Sequence, residues 1–251
     1  MVYNGAMKNC DEEKELWPGG LLYAGESIET DALVLADFAR RGGKAGGTAC
    51  DLGCGCGILP LLLLHTGAAG RADGVEKRPE ACGRARENLR RNGYGGRSEI
   101  LCLDWCRREE LRERRESYDL VLSNPPYFPA GQGPVSPDGD RAARRVESAP
   151  PEELCRTAAF LLKEKGRFCA VWRPERLCDL LCACRCAGLE PKRLRAVENA
   201  PSRTPALVLL ECRKGASPGL AWEEPLRLRG DDGRETAEYL KICYPGKEET
   251  I

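Results

Sequence analysis

From residue 48 to residue 214, short apolar runs alternate with helix-like segments, and this order constrains the fold more than any other feature. The runs lie at 48–52 (TACDL), 71–77, 98–104, 118–124, 167–172, 190–198 and 205–214. Between the earlier ones fall helical patterns at 58–67, 79–92, 106–116, 149–166 and 173–188. Strands joined through helices run parallel, because each crossover returns the chain to the same rim, and the helices then cover both faces of the sheet. The last two runs have no helix between them and are expected to pair antiparallel at an edge. The expected fold is α/β, a seven-stranded, mostly parallel sheet with an antiparallel edge strand and helices on both faces. A further helix over 30–42, with Thr30 as N-cap, precedes the first strand. The chain divides into an N-terminal extension with that helix (1–47), the alternating domain (48–214) and a weakly patterned tail (215–251).

Composition removes several functions. Lys+Arg and Asp+Glu both total 39, so net charge gives no pointer to nucleic acid and any basic surface must be local. The N-terminus has no apolar core region, and the longest apolar run, 58–64, is far too short to span a bilayer. The chain is expected in the cytoplasm, off the membrane. His65 is the only histidine, which argues against a His-based triad or a His-rich metal site. Fifteen cysteines is a high count, but most sit among apolar neighbours and read as small core residues. Cys178, Cys182 and Cys186 would share one helix face; their spacing is not that of paired zinc ligands, so no metal is expected.

The loop after the first run of the alternating region is D-x-G-x-G-x-G, with Asp51, Gly53, Gly55 and Gly57. Three glycines let the backbone turn tightly and approach a ligand. The loop lies where the strands end, the rim at which open α/β sheets bind ligands. It is neither the phosphate loop nor the dinucleotide fingerprint, and it carries an acid but no base. A carboxylate there opposes a phosphate and suits a cation. S-adenosylmethionine has a sulfonium and an ammonium and no phosphate. Glu76, ending the second run, can accept from both ribose hydroxyls; Asp104, ending the third, can accept from an adenine amino group or else cap the next turn. Cys54, Lys77 and Trp105 flank these positions and are counted with the cofactor site.

The fourth run stops at Asn124-Pro125-Pro126-Tyr127. Two prolines cannot donate to a sheet ladder, and they stiffen the backbone. The Asn124 side-chain oxygen and the Pro125 carbonyl then form a fixed pair of acceptors for a planar amino group, and Tyr127 offers a face for stacking. Asn124 is counted with both the catalytic and the cofactor groups.

These two stretches together resemble class I S-adenosylmethionine-dependent methyltransferases that act on a nitrogen conjugated to a π system. With ETDALVLADFA (29–39), RAARRVE (141–147) and LECRKGASPGL (210–220), the chain is similar to the bacterial tRNA1(Val) adenine-37-N6 methyltransferase family from about residue 20 to about residue 220. The resemblance implies a Rossmann-like class I methyltransferase fold, methyl transfer from S-adenosylmethionine to an adenine N6 in tRNA, and a monomer or weak homodimer. It also implies that Asp31 helps to close the cofactor site. Two segments depart from the family pattern: GESIET (25–30), and AVENAPSRTP (196–205), where Glu198 stands in place of an expected histidine. Arg141, Arg144 and Arg145 follow the clamp and, with Arg203 and Lys214, are the expected RNA contacts. Methylation of a glutamine amide in a release-factor-like protein would use the same clamp and is the alternative.

Overall fold

A computed structural model describes residues 13–15, 22–24, 30–125, 150–199 and 205–244, the first two segments as backbone only. Two short strands, β1 (Glu13–Glu15) and β2 (Leu22–Ala24), pair antiparallel as a separate ribbon. Helix α1 (Thr30–Arg41) leads into β3 (Gly47–Leu52), and α2 (Ile58–His65) into β4 (Ala69–Glu76). Next come α3 (Pro79–Arg91), β5 (Ile100–Cys102) and β6 (Tyr118–Ser123). The second half runs α4 (Pro151–Leu161), β7 (Leu162–Trp172), α5 (Leu177–Cys186), β8 (Leu189–Glu198), β9 (Pro205–Lys214), β10 (Ala221–Arg227) and α6 (Ala237–Cys243).

The main sheet has the order β10-β8-β9-β7-β6-β3-β4-β5. All seven expected strands are in it. β9 is antiparallel to both β7 and β8 and lies between them, and β10 pairs parallel with β8 at the rim. The sheet therefore has eight strands, and the expected boundary at residue 214 falls within it. Nothing in Ala221–Arg227 alternates clearly enough to announce a strand, and Pro225 is tolerable only because one side of β10 faces no partner strand.

The helices divide between two apolar layers. Buried residues of α1, α2, α3 and α6 form one cluster with one sheet face; those of α4 and α5 form the other with the opposite face. In α2, Leu59 through Leu64 are all buried, so the helix is apolar all round and sits inside. Two expected helices are corrected. The segment expected helical to Gly166 leaves the helix at Leu161, because Leu162 pairs with Tyr118 of β6 and, past an irregularity, Arg167–Ala170 pair with Leu120–Ser123. The charged segment 106–116 forms a 3-10 turn, Arg108–Arg114, with Leu111 its one buried residue. Cys178, Cys182 and Cys186 do share a face, but it is the exposed one; Leu180, Ala183 and Cys184 point inward.

Helix α1 is fastened by a buried ion cluster. Glu211, on β9, is fully buried, and its Oε2 accepts from Arg193 Nη1 at 2.7 Å and Arg167 Nη1 at 3.2 Å. The same two guanidinium groups donate to the carbonyls of Phe38 and Ala39 in the last turn of α1, at 3.4 and 2.9 Å, where cations also suit the helix dipole. Arg193 further covers the Phe38 ring at 4.2 Å. Removing the carboxylate leaves the half-buried Arg167 without its counter-charge and Arg193 with Glu223 alone. Glu211→Gln should lower the unfolding free energy by roughly 2 kcal/mol, read as a lower urea midpoint at unchanged slope. An unchanged midpoint would mean that the cluster adds nothing to the docking of α1.

Candidate active site

Parallel strands β3, β4, β5 and β6 all end on one rim, and the sequence-selected acids gather there. Asp51 lies between Gly74 of β4 and Leu122 of β6 in the sheet register. It is 2% exposed, and its Oδ1 accepts no hydrogen bond. Burial, and then the charge of Glu76, push its carboxyl up to about 8. A buried carboxyl with an empty acceptor is costly unless something arrives to use it. A cationic ligand group satisfies that need, so the residue fits the ammonium of S-adenosylmethionine.

The glycine loop turns sharply beyond Asp51. Gly53, Gly55 and Gly57 have φ of 82°, 54° and 84°, a region open to glycine and strained for other residues. The amides of Gly53 and Cys54 donate to the Val75 carbonyl at 2.8 and 3.0 Å, tying the loop to the end of β4. At Gly57 the limit is also steric, since a Cβ would stand 3.1 Å from that of Ala85. Gly53 and Gly55 face open space, with Trp105 Nε1 and Arg78 Nη2 each 3.9 Å from where a Cβ would be. The Cys54 side chain turns inward instead: its sulfur would lie 2.6 Å from a Cβ on Gly74, and burial pushes its thiol well up. Cys54 thus contributes its backbone to the loop and its side chain to the core.

Glu76 is 5% exposed at the end of β4. Its Oε2 accepts from the Gly55 amide at 3.0 Å, and its Oε1 from the Arg78 amide at 2.9 Å and Arg78 Nε at 3.0 Å. Burial acts to raise its pKa, but the Arg78 bonds and charge and the Gly55 bond outweigh it, and the net shift is downward. The carboxylate is charged and aimed at the loop. Asp104 is half-buried, and its Oδ1 accepts from the Cys106 amide at 3.0 Å. One oxygen therefore caps the turn that carries Trp105, as the capping alternative expected. Lys77 is exposed on the same rim.

Asn124 is half-buried and Pro125 buried, directly after β6. The Ser123 hydroxyl donates to the Leu52 carbonyl at 2.8 Å, so the clamp is pinned to the residue that starts the glycine loop. Pro126, Tyr127, Arg141, Arg144, Arg145 and Arg203 lie outside the described residues. Asp31 is half-buried in the first turn of α1. Lys214 is not brought to this rim. β9 runs antiparallel, so its end lies at the opposite rim, where the ammonium reaches Glu116 at 3.1 Å and the Leu162 carbonyl at 2.8 Å.

Three supporting residues escaped the sequence reading: Arg78, Ser123 and Asn88. Asn88 Nδ2 donates to the Cys56 carbonyl at 2.9 Å from within the apolar stripe of α3. A polar residue on that stripe was the available signal. Ser123, a hydroxyl closing an apolar strand, gave a weaker one.

Comparison with known proteins agrees with this geometry. The family described as "Methyltransferase small domain" matches residues 23–179. The tRNA1(Val) (adenine(37)-N6)-methyltransferase of Tolumonas auensis is 32% identical over 220 residues, covering 86% of this chain and 87% of that protein. The proteins of the same name from Porphyromonas gingivalis and Escherichia coli are 28% and 29% identical, with 85% or more of each chain covered. Among solved structures, a predicted O-methyltransferase from Agrobacterium tumefaciens superimposes with a TM-score of 0.65 at 20% identity, over 85% of this chain and 95% of that one. TrmN from Thermus thermophilus gives 0.52 at 20% identity, over 72% of this chain and 48% of that one. The two structures share the fold, and the family match spans the glycine loop, Glu76, Asp104 and the Asn-Pro-Pro-Tyr exit: the chain belongs to the methyltransferase small domain family.

Proposed function

We propose that this protein transfers a methyl group from S-adenosylmethionine to the exocyclic N6 of an adenine in tRNA, A37 of the anticodon loop. The observation that carries the reading is the rim itself. A buried carboxyl with an unused oxygen (Asp51) and a charged ribose acceptor (Glu76) stand beside a stiff pair of oxygens on Asn124 and Pro125. The relatives that match most of the chain bear the name of that activity.

An adenine N6 is a poor nucleophile, because its lone pair is delocalised into the ring. Asn124 Oδ1 and the Pro125 carbonyl accept its two hydrogens and favour the pyramidal nitrogen. The prolines fix those acceptors in advance, so little reorganisation accompanies reaction. When bound, S-adenosylmethionine supplies an electrophilic methyl on a positively charged sulfur. Asp51 holds its ammonium, Glu76 its ribose and Asp104 its adenine amino group, with Trp105 as a wall. Placing nitrogen and methyl within about 3–3.5 Å in line is the main catalytic contribution.

The target base has to leave its stack to reach this rim, with Tyr127 as its stacking face. In this reading Asp31 closes the cofactor side, Arg141, Arg144, Arg145 and Arg203 meet phosphates, the transferase core runs from residue 48 through β10, and the chain works as a monomer or weak homodimer.

The test offers methyl-tritiated cofactor with total tRNA, a release factor and DNA in parallel. Label is expected in tRNA alone, recovered as N6-methyladenosine at position 37 by mass spectrometry. Label in the release factor would overturn the RNA reading in favour of the amide alternative.

A further inference from the structure

We propose that Arg78 competes with the cofactor's ribose for Glu76, and so sets how tightly adenosine-containing ligands are held. This rests on the cofactor reading above.

The Glu76 carboxylate offers about four acceptor positions, two on each oxygen. Oε1 takes the Arg78 amide and Arg78 Nε at 2.9 and 3.0 Å; Oε2 takes the Gly55 amide at 3.0 Å and Arg78 Nη2 at 3.4 Å. All four are in use. A vicinal diol donating two hydrogens needs two of them back. The two backbone amides are fixed, one in the glycine loop and the other at the turn into α3, so only the guanidinium can leave. Its fork presents two N–H groups to the carboxylate, as the diol would present two O–H groups. Its position agrees, because Nη2 lies over Gly55, on the open side of the loop where a nucleoside has to pass. The side chain is 37% exposed, so part of it already faces solvent.

Helix capping does not explain the residue. Arg78 stands at the N-cap of α3, where Ser, Thr, Asp or Asn would serve, and makes no side-chain cap bond. What it does instead is satisfy a carboxylate that is almost wholly buried. The Arg78 guanidinium thus covers the acceptors of Glu76 that a ribose would use. Entry of the ribose exchanges an ion pair for hydrogen bonds from neutral hydroxyls, which weakens binding of donor and of demethylated product alike and speeds release of the product.

The test is calorimetric titration with S-adenosylhomocysteine, which lacks the sulfonium charge that Arg78 would repel, and with its analogue lacking both ribose hydroxyls. Arg78→Ala is expected to tighten S-adenosylhomocysteine about tenfold and to leave the analogue within about twofold of the parent. Weaker or unchanged binding of S-adenosylhomocysteine overturns the proposal, since Arg78 would then hold the ligand or be irrelevant to it. Equal tightening of both ligands also overturns it, because the effect would not pass through the diol. If Arg78→Ala fails to fold, Arg78→Lys keeps the charge and loses the fork. It should tighten S-adenosylhomocysteine about threefold and leave the analogue unmoved; any other result overturns the proposal. A parent protein that binds no S-adenosylhomocysteine sinks the cofactor reading, and this inference with it. A parent that binds it, with a variant that does so identically, sinks only the role given to Arg78.

Discussion

Asn124→Ala is expected to lower the rate of methyl transfer to tRNA by on the order of a thousandfold, while affinity for S-adenosylmethionine changes less than about threefold. Removing one preorganised polar contact to a reacting group typically costs about a hundred- to a thousandfold. In the proposed mechanism the lost group is one of two acceptors for the amino hydrogens, which argues for the upper end. The alanine should fold, because Asn124 lies just beyond β6 and the strand is held independently. The Ser123 hydroxyl bonds to the Leu52 carbonyl, and β6 pairs with both β3 and β7. Asn124→Gln gives the sharper test. It keeps the amide but displaces it by one methylene, and a misplacement of about 1 Å can cost a hundredfold when geometry is the catalyst. Single-turnover rates with saturating cofactor and tRNA separate the effect on chemistry from binding. Normal transfer by the alanine variant would show that the oxygens at the end of β6 do not hold the target nitrogen.

The parts of this site legible in the sequence are those whose chemistry is local. Asp51 and its glycines could be read because the loop needs left-handed backbone at three positions spaced by two, a pattern that only glycine meets without strain. Glu76 was found by its place at the end of an apolar run. The parts that were not legible depend on partners distant in sequence. Lys163 to Gly166 reads as a continuation of α4, since Lys and Glu are good helix formers, yet pairing with β6 draws the chain into β7. Lys214 was expected among the RNA contacts, but the direction of β9 puts it on the rim opposite the glycine loop. Cys178, Cys182 and Cys186 were correctly placed on one face, but periodicity does not say which face turns inward. Arg78 gave no signal, because an arginine beside a proline at a helix start is ordinary, and its meaning comes from the buried carboxylate it meets.

Asp51→Asn should weaken S-adenosylmethionine by on the order of a hundredfold and yet stabilise the unligated protein at alkaline pH. The first effect follows from removing the counter-charge of a buried ammonium, a loss of about 3 kcal/mol. The second follows from the raised carboxyl. In the folded, unligated chain it titrates at about 8 rather than 3.8, chiefly through burial and then through the charge of Glu76. A folded pKa above the unfolded one means that the native state binds the extra proton. The group's contribution to stability is therefore complete below about pH 4 and is lost as pH rises through about 8. Asparagine carries no such penalty, so the thermal midpoint of the variant should exceed that of the parent at pH 9, and the gap should close as pH falls towards about 4. Cofactor affinity of the parent should climb between pH 6 and 8, because the carboxyl must give up its proton before it can pair with the ammonium, and the variant should lose that slope. Two readouts thus move in opposite directions from one substitution, which a general disturbance of the loop would not produce. A variant that binds the cofactor normally, or whose midpoint falls below the parent's at every pH, would remove Asp51 from the site. The orphaned oxygen would then need another explanation. The design the prediction probes is a carboxylate held in the sheet at a cost to stability, with the cost offset when a cation arrives.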